Sequence, residues 1–477
     1  PPTAALCVVD PRSTGIGGDA FALYWSRDKR RPAGLAAAGP APAGMTVGAL
    51  RNAGYVRMPS HGPWSVTVPG AVAGWWTLLD RYGSLPRDRV LGPAIRHAEE
   101  GFAVTPIVAQ EWGATVDKLR RDPVAGETFL PGGRSPAAGE RFANPRLARV
   151  LGAIAAEGPD AFYRGQTASL IGAAVEAAGG PLSAEDLASW GGPEWVDPIR
   201  APFGGVDVYE LPPPGQGIVV LEALGIYEGL SPDTPVDREH ATIESVKLAF
   251  ADARAHVTDP SVHAVPVDRL LSGAFLDGRR ALVDMLHAGD APPGRATDTV
   301  FVAAADSEGN ACSFIQSLYE GFGSGVGVPE TGIVLHNRGS GFVMDDDHPN
   351  RPEPGKRPYH TIIPAMLGRD GALVGALGVV GGFQQPQGQI QILRGLFEEG
   401  LAPQAALDRP RFRSLGGRRV GFEPSFDQEL VQALAGRGHE VSELSRFGAG
   451  GAQLILVEDD RYVGASDRRK DGYVGVC

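Results

Sequence analysis

Apolar residues recur at helical spacing through the first part of the chain and give way to alternating, strand-like runs in the last part. "VPGAVAGWWTLLDRYGSLP" places its apolar side chains on one helical face and stops at Tyr82-Gly83, and "GPAIRHAEEGFAV" repeats that design. Residues 144 to 178 predict two more amphipathic helices split by a Gly-Pro-Asp turn, and Ser183 in "LSAEDL" is the expected N-cap of another. "FGGVDVYELPPPGQGIVVLE" predicts a strand, a proline-rich loop and the entry to a helix. "HATIESVKLAFADARAHVTDP" predicts a helix with His240, Glu244, Lys247 and Ala251 along one stripe.

A loose stretch, "HAGDAPPGRATD" at 287–298, is the best linker candidate. Beyond it, "TVFVAAAD" and "ACSFIQSLY" flank the turn "SEGN" and predict a hairpin, with further strands at "ALVGALGVV", "AQLILVED" and "RYVGASD". Residues 1–298 therefore read as mostly helical with some strand, and 299–477 as mostly strand. A layered α/β fold with helices outside the sheets is expected.

Composition narrows the function. A chain of 477 residues with 43% hydrophobic and 21% charged residues can bury a large core, and no apolar run is long enough to span a bilayer. A net charge of -12 argues against a nucleic-acid partner, which needs a basic face. Cys7, Cys312 and Cys477 form no disulfide framework and no CxxC metal pair. The opening "PPTAALCVVDPRSTG" has neither Met nor signal-like features, so the natural N-terminus is expected upstream and a cytoplasmic location is the default expectation.

"GIGGDA" at 15–20 fits a dinucleotide fingerprint, with "ALCVV" as the preceding strand, but that motif must open a helix and "FALYW" is strand-like. A tight glycine turn between two strands is the expectation. There is no G-x-S-x-G, H-E-x-x-H or P-loop, and the ten histidines, His240 and His360 included, do not fall at metal-ligand spacing. Thr299 remains. A threonine at a strand start is ordinarily a β-former, but at a chain terminus its own α-amine can take the hydroxyl proton. That chemistry requires a cut at Asp298–Thr299, where the linker could accommodate it.

Several segments carry a resemblance: "TVFVAAADSEGNACSF", "FGSGVGVPETGIVLHNRGSGF", "PGKRPYHTIIPAM", "GVVGG" and "GASDRRKDG", preceded by "TGIGGDAF", "VPGAVAGW", "AFYRGQTA" and "LSAEDL". Together they resemble the gamma-glutamyltransferase family of N-terminal nucleophile (Ntn) hydrolases over nearly the whole chain. The resemblance implies an α/β fold, a four-layer αββα sandwich of Ntn-hydrolase type, cut before Thr299 into a large subunit (1–298) and a small one (299–477). It implies Thr299 as nucleophile, Ser317 as its hydroxyl support, and Gly381 and Gly382 as the oxyanion-hole pair. It requires no cofactor and no metal, and it admits a homodimer of paired large and small subunits. The family's "GGNAxDAA" segment does not occur in these residues, which adds to the expectation of an upstream part.

The departures from the family pattern bear on substrate. Ala38 falls where family transpeptidases carry an arginine for the glutamyl α-carboxylate. Arg338 and Gly341 replace the Gln and Asp that hold the glutamyl amine, and His360-Thr361 replaces Ser-Ser. A pocket lined by Arg338, His360, Thr361 and Tyr319 suits a carboxylate better than an ammonium group. The set "NRG", "KRPYHT" and "GG…QPQ" resembles the oxamate amidohydrolase branch, which implies a small amide substrate bearing a carboxylate. A gamma-glutamyl hydrolase or transpeptidase, a cephalosporin or glutaryl acylase, and an uncut binding relative remain alternatives.

Overall fold

The computed structural model describes residues 2–290, 298–445, 447–459 and 461–476. Two antiparallel sheets lie face to face. The first orders its strands Glu194–Val196, Ala33–Ala37, Asp19–Trp25, Ala311–Tyr319, Asp298–Ala305. The second orders Arg461–Ser466, Gly451–Glu458, Ala372–Val380, Pro364–Arg369, Val206–Glu210, Ile199–Phe203. Each sheet takes strands from both sides of residue 298, so the two segments share one fold.

Side-chain alternation produces the layers. In Asp19–Trp25, Phe21, Leu23 and Trp25 point into the space between the sheets, while Ala20 and Ala22 pack against outer helices that include Ala71–Tyr82, Arg87–Glu100 and Pro145–Glu157. In Ala372–Val380, Ala376 and Val380 face the first sheet, and Leu377 and Val379 pack on Gly217–Leu230, Pro235–His256 and Gln384–Phe397. Helices, sheet, sheet, helices: this is the four-layer αββα sandwich that the resemblance implies. No helix among the described residues is long and apolar enough to cross a membrane.

The hairpin and the strands expected near the C-terminal end are present. Ser183 is an N-cap with a full capping box, its hydroxyl accepting from Asp186 N–H at 3.2 Å. Other expectations need correction. "ALCVV" lies within a helix, Pro2–Val9, so the glycine turn joins a helix to a strand. The glycines serve close backbone packing, since a Cβ on Gly18 would lie 2.5 Å from the Ser317 carbonyl oxygen. Residues 144–178 form three helices rather than two, because Asp160–Tyr163 is a separate turn. The linker expected over 287–298 lies largely outside the described residues, which resume at Asp298.

Between the sheets Phe301 packs directly on Gly378, at which a Cβ would sit 2.2 Å from the ring. Gly378→Ala should therefore cost about 1–3 kcal/mol by overpacking. The double variant with Phe301→Ala should lose less than the sum of the two single losses in urea unfolding, because removing the ring makes room for the methyl.

Candidate active site

The site lies at the shared end of the two sheets, where short polar side chains replace the apolar filling. Thr299 faces a bulge in the neighbouring strand: Asp298 pairs with Tyr319 and Val300 with Gln316, so Ser317 and Leu318 together oppose Thr299, which lies outside the regular ladder. The residue is 5% exposed. Its Oγ1 lies 2.6 Å from the Asp298 carbonyl oxygen and 3.3 Å from Ser317 Oγ. Ser317 accepts the Tyr319 N–H at 2.7 Å and donates its own proton to the Asp298 carbonyl at 2.5 Å. The carbonyl before Thr299 is thus polarised by a hydroxyl beside the nucleophile candidate. Tyr319 takes φ 79°, a costly conformation for a bulky residue, and it sits where the strand turns to aim Ser317.

The second sheet supplies the opposite wall. Its strand ends at Val380, and Gly381 and Gly382 turn the chain into Gln384–Phe397. Gly381 has φ 121° and a Cβ there would lie 3.2 Å from Gln384 Cβ, so the corner requires glycine. The Gly382 carbonyl accepts from Gln216 Nε2 at 2.8 Å and from Gln385 N–H at 3.0 Å.

Gln385 is a contact that the sequence reading did not single out, although it stands in the quoted "GG…QPQ". Its Oε1 accepts the Ile363 N–H at 3.0 Å, so its amino group faces Thr299 Oγ1, 3.3 Å away. The backbone contact fixes which end of the amide points at the threonine.

Arg338 lies behind Tyr319. It is 1% exposed, sits over the Tyr319 ring at 4.2 Å and donates from Nη1 to Thr361 Oγ1 at 2.8 Å. Its Nε is 3.9 Å from Asp19 Oδ2, and Nε and Nη2 have no hydrogen-bond partner among the described residues. Burial lowers the guanidinium to about 10 and raises the Asp19 carboxyl to about 7, so neither charge fully offsets the other's desolvation.

Asp19 accepts the Gly70 N–H at 2.9 Å and the His360 Nε2 at 3.1 Å. The other His360 nitrogen accepts from Ile362 N–H at 3.4 Å, so both are engaged within the chain, and burial keeps this imidazole neutral. The described fold therefore gathers Asp298, Thr299, Ser317, Tyr319, Arg338, His360, Thr361, Gly381 and Gly382 around one region. Ala38 is buried between the sheets, and Gly341 lies in the turn after Arg338, tight against the Tyr359 carbonyl.

Sequence spacing offered no metal set, yet folding brings His240, Glu244 and His439 within 4.8 Å of one another. The cluster is closed by its own bonds. His240 and His439 share a 2.9 Å contact, and the buried Lys247 ammonium lies 2.9 Å from Glu244, supplying the cation itself.

With this geometry in view, the comparisons identify the chain. The sequence model of the family described as gamma-glutamyltranspeptidase matches residues 2–477. The "Glutathione hydrolase-like YwrD proenzyme" of Bacillus subtilis is 34% identical, covering 98% of this chain and 91% of that protein. The "Oxamate amidohydrolase proenzyme" of Klebsiella pneumoniae is 35% identical, with the same shares covered. The crystal structure of a cephalosporin acylase from Bacillus halodurans superposes with a TM-score of 0.94 at 44% identity, covering 99% of this chain and 89% of that one. The chain belongs to the gamma-glutamyltranspeptidase family. It is an Ntn hydrolase that acts on amide bonds.

The Asp19 environment makes a testable claim about pH. Its folded-state value lies above the ordinary 3.8, so the protonated form contributes its stability fully below about pH 4 and loses it as pH rises through about 7. Asp19→Asn carries no such titration. The difference in unfolding free energy between the two proteins, measured by urea denaturation, should shift in favour of the Asn variant from pH 5 to pH 8, by on the order of 2 to 4 kcal/mol. A difference that stays flat would contradict the assignment.

Proposed function

We propose that the chain is an autoprocessing amidohydrolase whose substrate is a small amide with a carboxylate close to the scissile carbonyl, as in oxamate. The observation that carries this reading is the pair of unpartnered, buried donors on Arg338. An unsatisfied buried donor is costly, and a carboxylate accepting from both would relieve that cost and add negative charge that Asp19 alone only partly supplies. Tyr319 and Thr361 fix the guanidinium plane, and His360 orients Asp19 behind it.

In this mechanism the bond before Thr299 is cut first, giving a large subunit (1–298) and a small one (299–477). The proenzyme names of the two relatives support such processing. The freed α-amine then takes the Oγ1 proton, and the oxygen attacks the substrate carbonyl. Gly381 and Gly382 N–H groups hold the oxyanion, Ser317 keeps the hydroxyl in place, and the Gln385 amino group stabilises charge growing on Oγ1. The amide nitrogen leaves as the amine takes part in proton transfer, and water hydrolyses the threonyl ester.

A second reading has specific support in the cephalosporin acylase superposition. A glutaryl group also ends in a carboxylate, so Arg338 suits that reading too, and the length of the acyl group separates the two.

Ammonia release from oxamate, compared with release of the amine from a glutaryl amide and of p-nitroaniline from a gamma-glutamyl anilide, decides among them. Oxamate should be preferred, and Arg338→Met should raise its KM about a hundredfold, equivalent to about 3 kcal/mol of charge-assisted bonding. Turnover of the gamma-glutamyl anilide alone would overturn the Arg338 argument.

A further inference from the structure

Residue 298 is held at two points. Its carbonyl oxygen receives the Ser317 hydroxyl at 2.5 Å, and its side-chain Oδ1 receives Arg12 Nη1 at 2.6 Å. Arg12 itself is fixed by the strand that carries Ser317: Leu318 N–H donates to the Ser13 carbonyl at 3.1 Å, and Phe322 N–H to the Arg12 carbonyl at 2.8 Å. The clamp and the hydroxyl that polarises the carbonyl are therefore parts of one rigid piece, and the ion pair is only 12% and 16% exposed at its two side chains.

The surrounding charges leave Arg12 available to Asp298. Glu111 lies farther from Arg12, at 3.5 Å, and forms a second pair with Lys470. Lys118 is occupied by the Gly321 and Gly323 carbonyls and by Glu320 at 3.7 Å. Asp10, the remaining acid in this group, is raised to about 6 by burial and by Glu111. Among the described residues, Arg12 is the cation bonded to the Asp298 carboxylate.

We propose that Arg12 is a positioning residue for cleavage of the Asp298–Thr299 bond, and that an acidic side chain at 298 is the feature it selects. The inference rests on the reading of Thr299 as nucleophile. In the reaction, Thr299 Oγ1 bonds to the Asp298 carbonyl carbon and the carbon–nitrogen bond breaks. The hydroxyl proton passes to the departing nitrogen, leaving an ester and a free α-amine. One water then opens the ester, returning the Thr299 hydroxyl and giving Asp298 a terminal carboxylate. Only two soft torsions join the Asp298 carboxylate to its backbone, so gripping the side chain restricts how the carbonyl can turn away from Oγ1. Displacement of a reacting carbonyl by about 1 Å costs roughly a hundredfold in rate.

The test follows the full-length chain from synthesis, measuring uncut against cut protein over time by denaturing electrophoresis. Wild type, Thr299→Ala, Arg12→Met, Asp298→Asn, the double variant Arg12→Met/Asp298→Asn and the exchange Arg12→Asp/Asp298→Arg are compared. Arg12→Met and Asp298→Asn should each slow cutting about tenfold or more. The double variant should be no slower than the slower single variant, and the exchange should recover part of the rate. A purely structural Arg12 would lower Tm without this coupling or recovery. If wild type is cut and both single variants are cut at its rate, or if their effects simply multiply, the Arg12 proposal fails alone. If Thr299→Ala is also cut, or wild type never is, the nucleophile reading fails with it.

Discussion

The close approach of the two sheets at Phe301 and Gly378 is the constraint on which the site depends. Phe301 is two residues from Thr299 and Gly378 three from Gly381, so this one contact sets the gap between the threonine and the glycine corner facing it. A side chain on Gly378 would push the walls apart. Because core packing is dense, such a displacement could not be absorbed locally and would reach the 3.3 Å contact between Gln385 and Thr299. The apolar filling between the sheets thus acts as a spacer for polar chemistry at their end.

That end is electrostatically costly, and its cost is informative. An arginine with two bare donors, an acid raised to about 7 and the neutral imidazole of His360 lie packed together away from water. A region serving stability alone would be better filled with apolar groups of similar volume. In the proposed function this partial satisfaction is what an anionic ligand would complete. In the proposed mechanism Arg338, on another loop, would supply the positive charge that Ala38 cannot.

Much of this was legible along the chain because it depends on local pattern. The hairpin around "SEGN", the Ser183 cap and the outer helices follow from alternation, capping chemistry and 3.6-residue spacing. Thr299 stood out through its place after a linker-like stretch and through the family resemblance. The unread parts are non-local. Pro2–Val9 is short and apolar, and its type is decided by burial against the first sheet's helices rather than by period. Asp19, Gln385 and Arg12 stand 280, 86 and 286 residues from Thr299 or Asp298, and only the tertiary fold brings them together. No spacing rule joins such positions. The same holds for His439, which reaches His240 across 199 residues.

Direct mass and N-terminal sequence determination on the active, purified protein tests the central claim most sharply. The account predicts two tightly associated fragments of about 31 and 19 kDa from a 50.0 kDa chain, the smaller beginning Thr-Val-Phe-Val, because only a freed Thr299 has an amine base. Full amidase activity from a single uncut chain, or a small fragment beginning at any other residue, would contradict it.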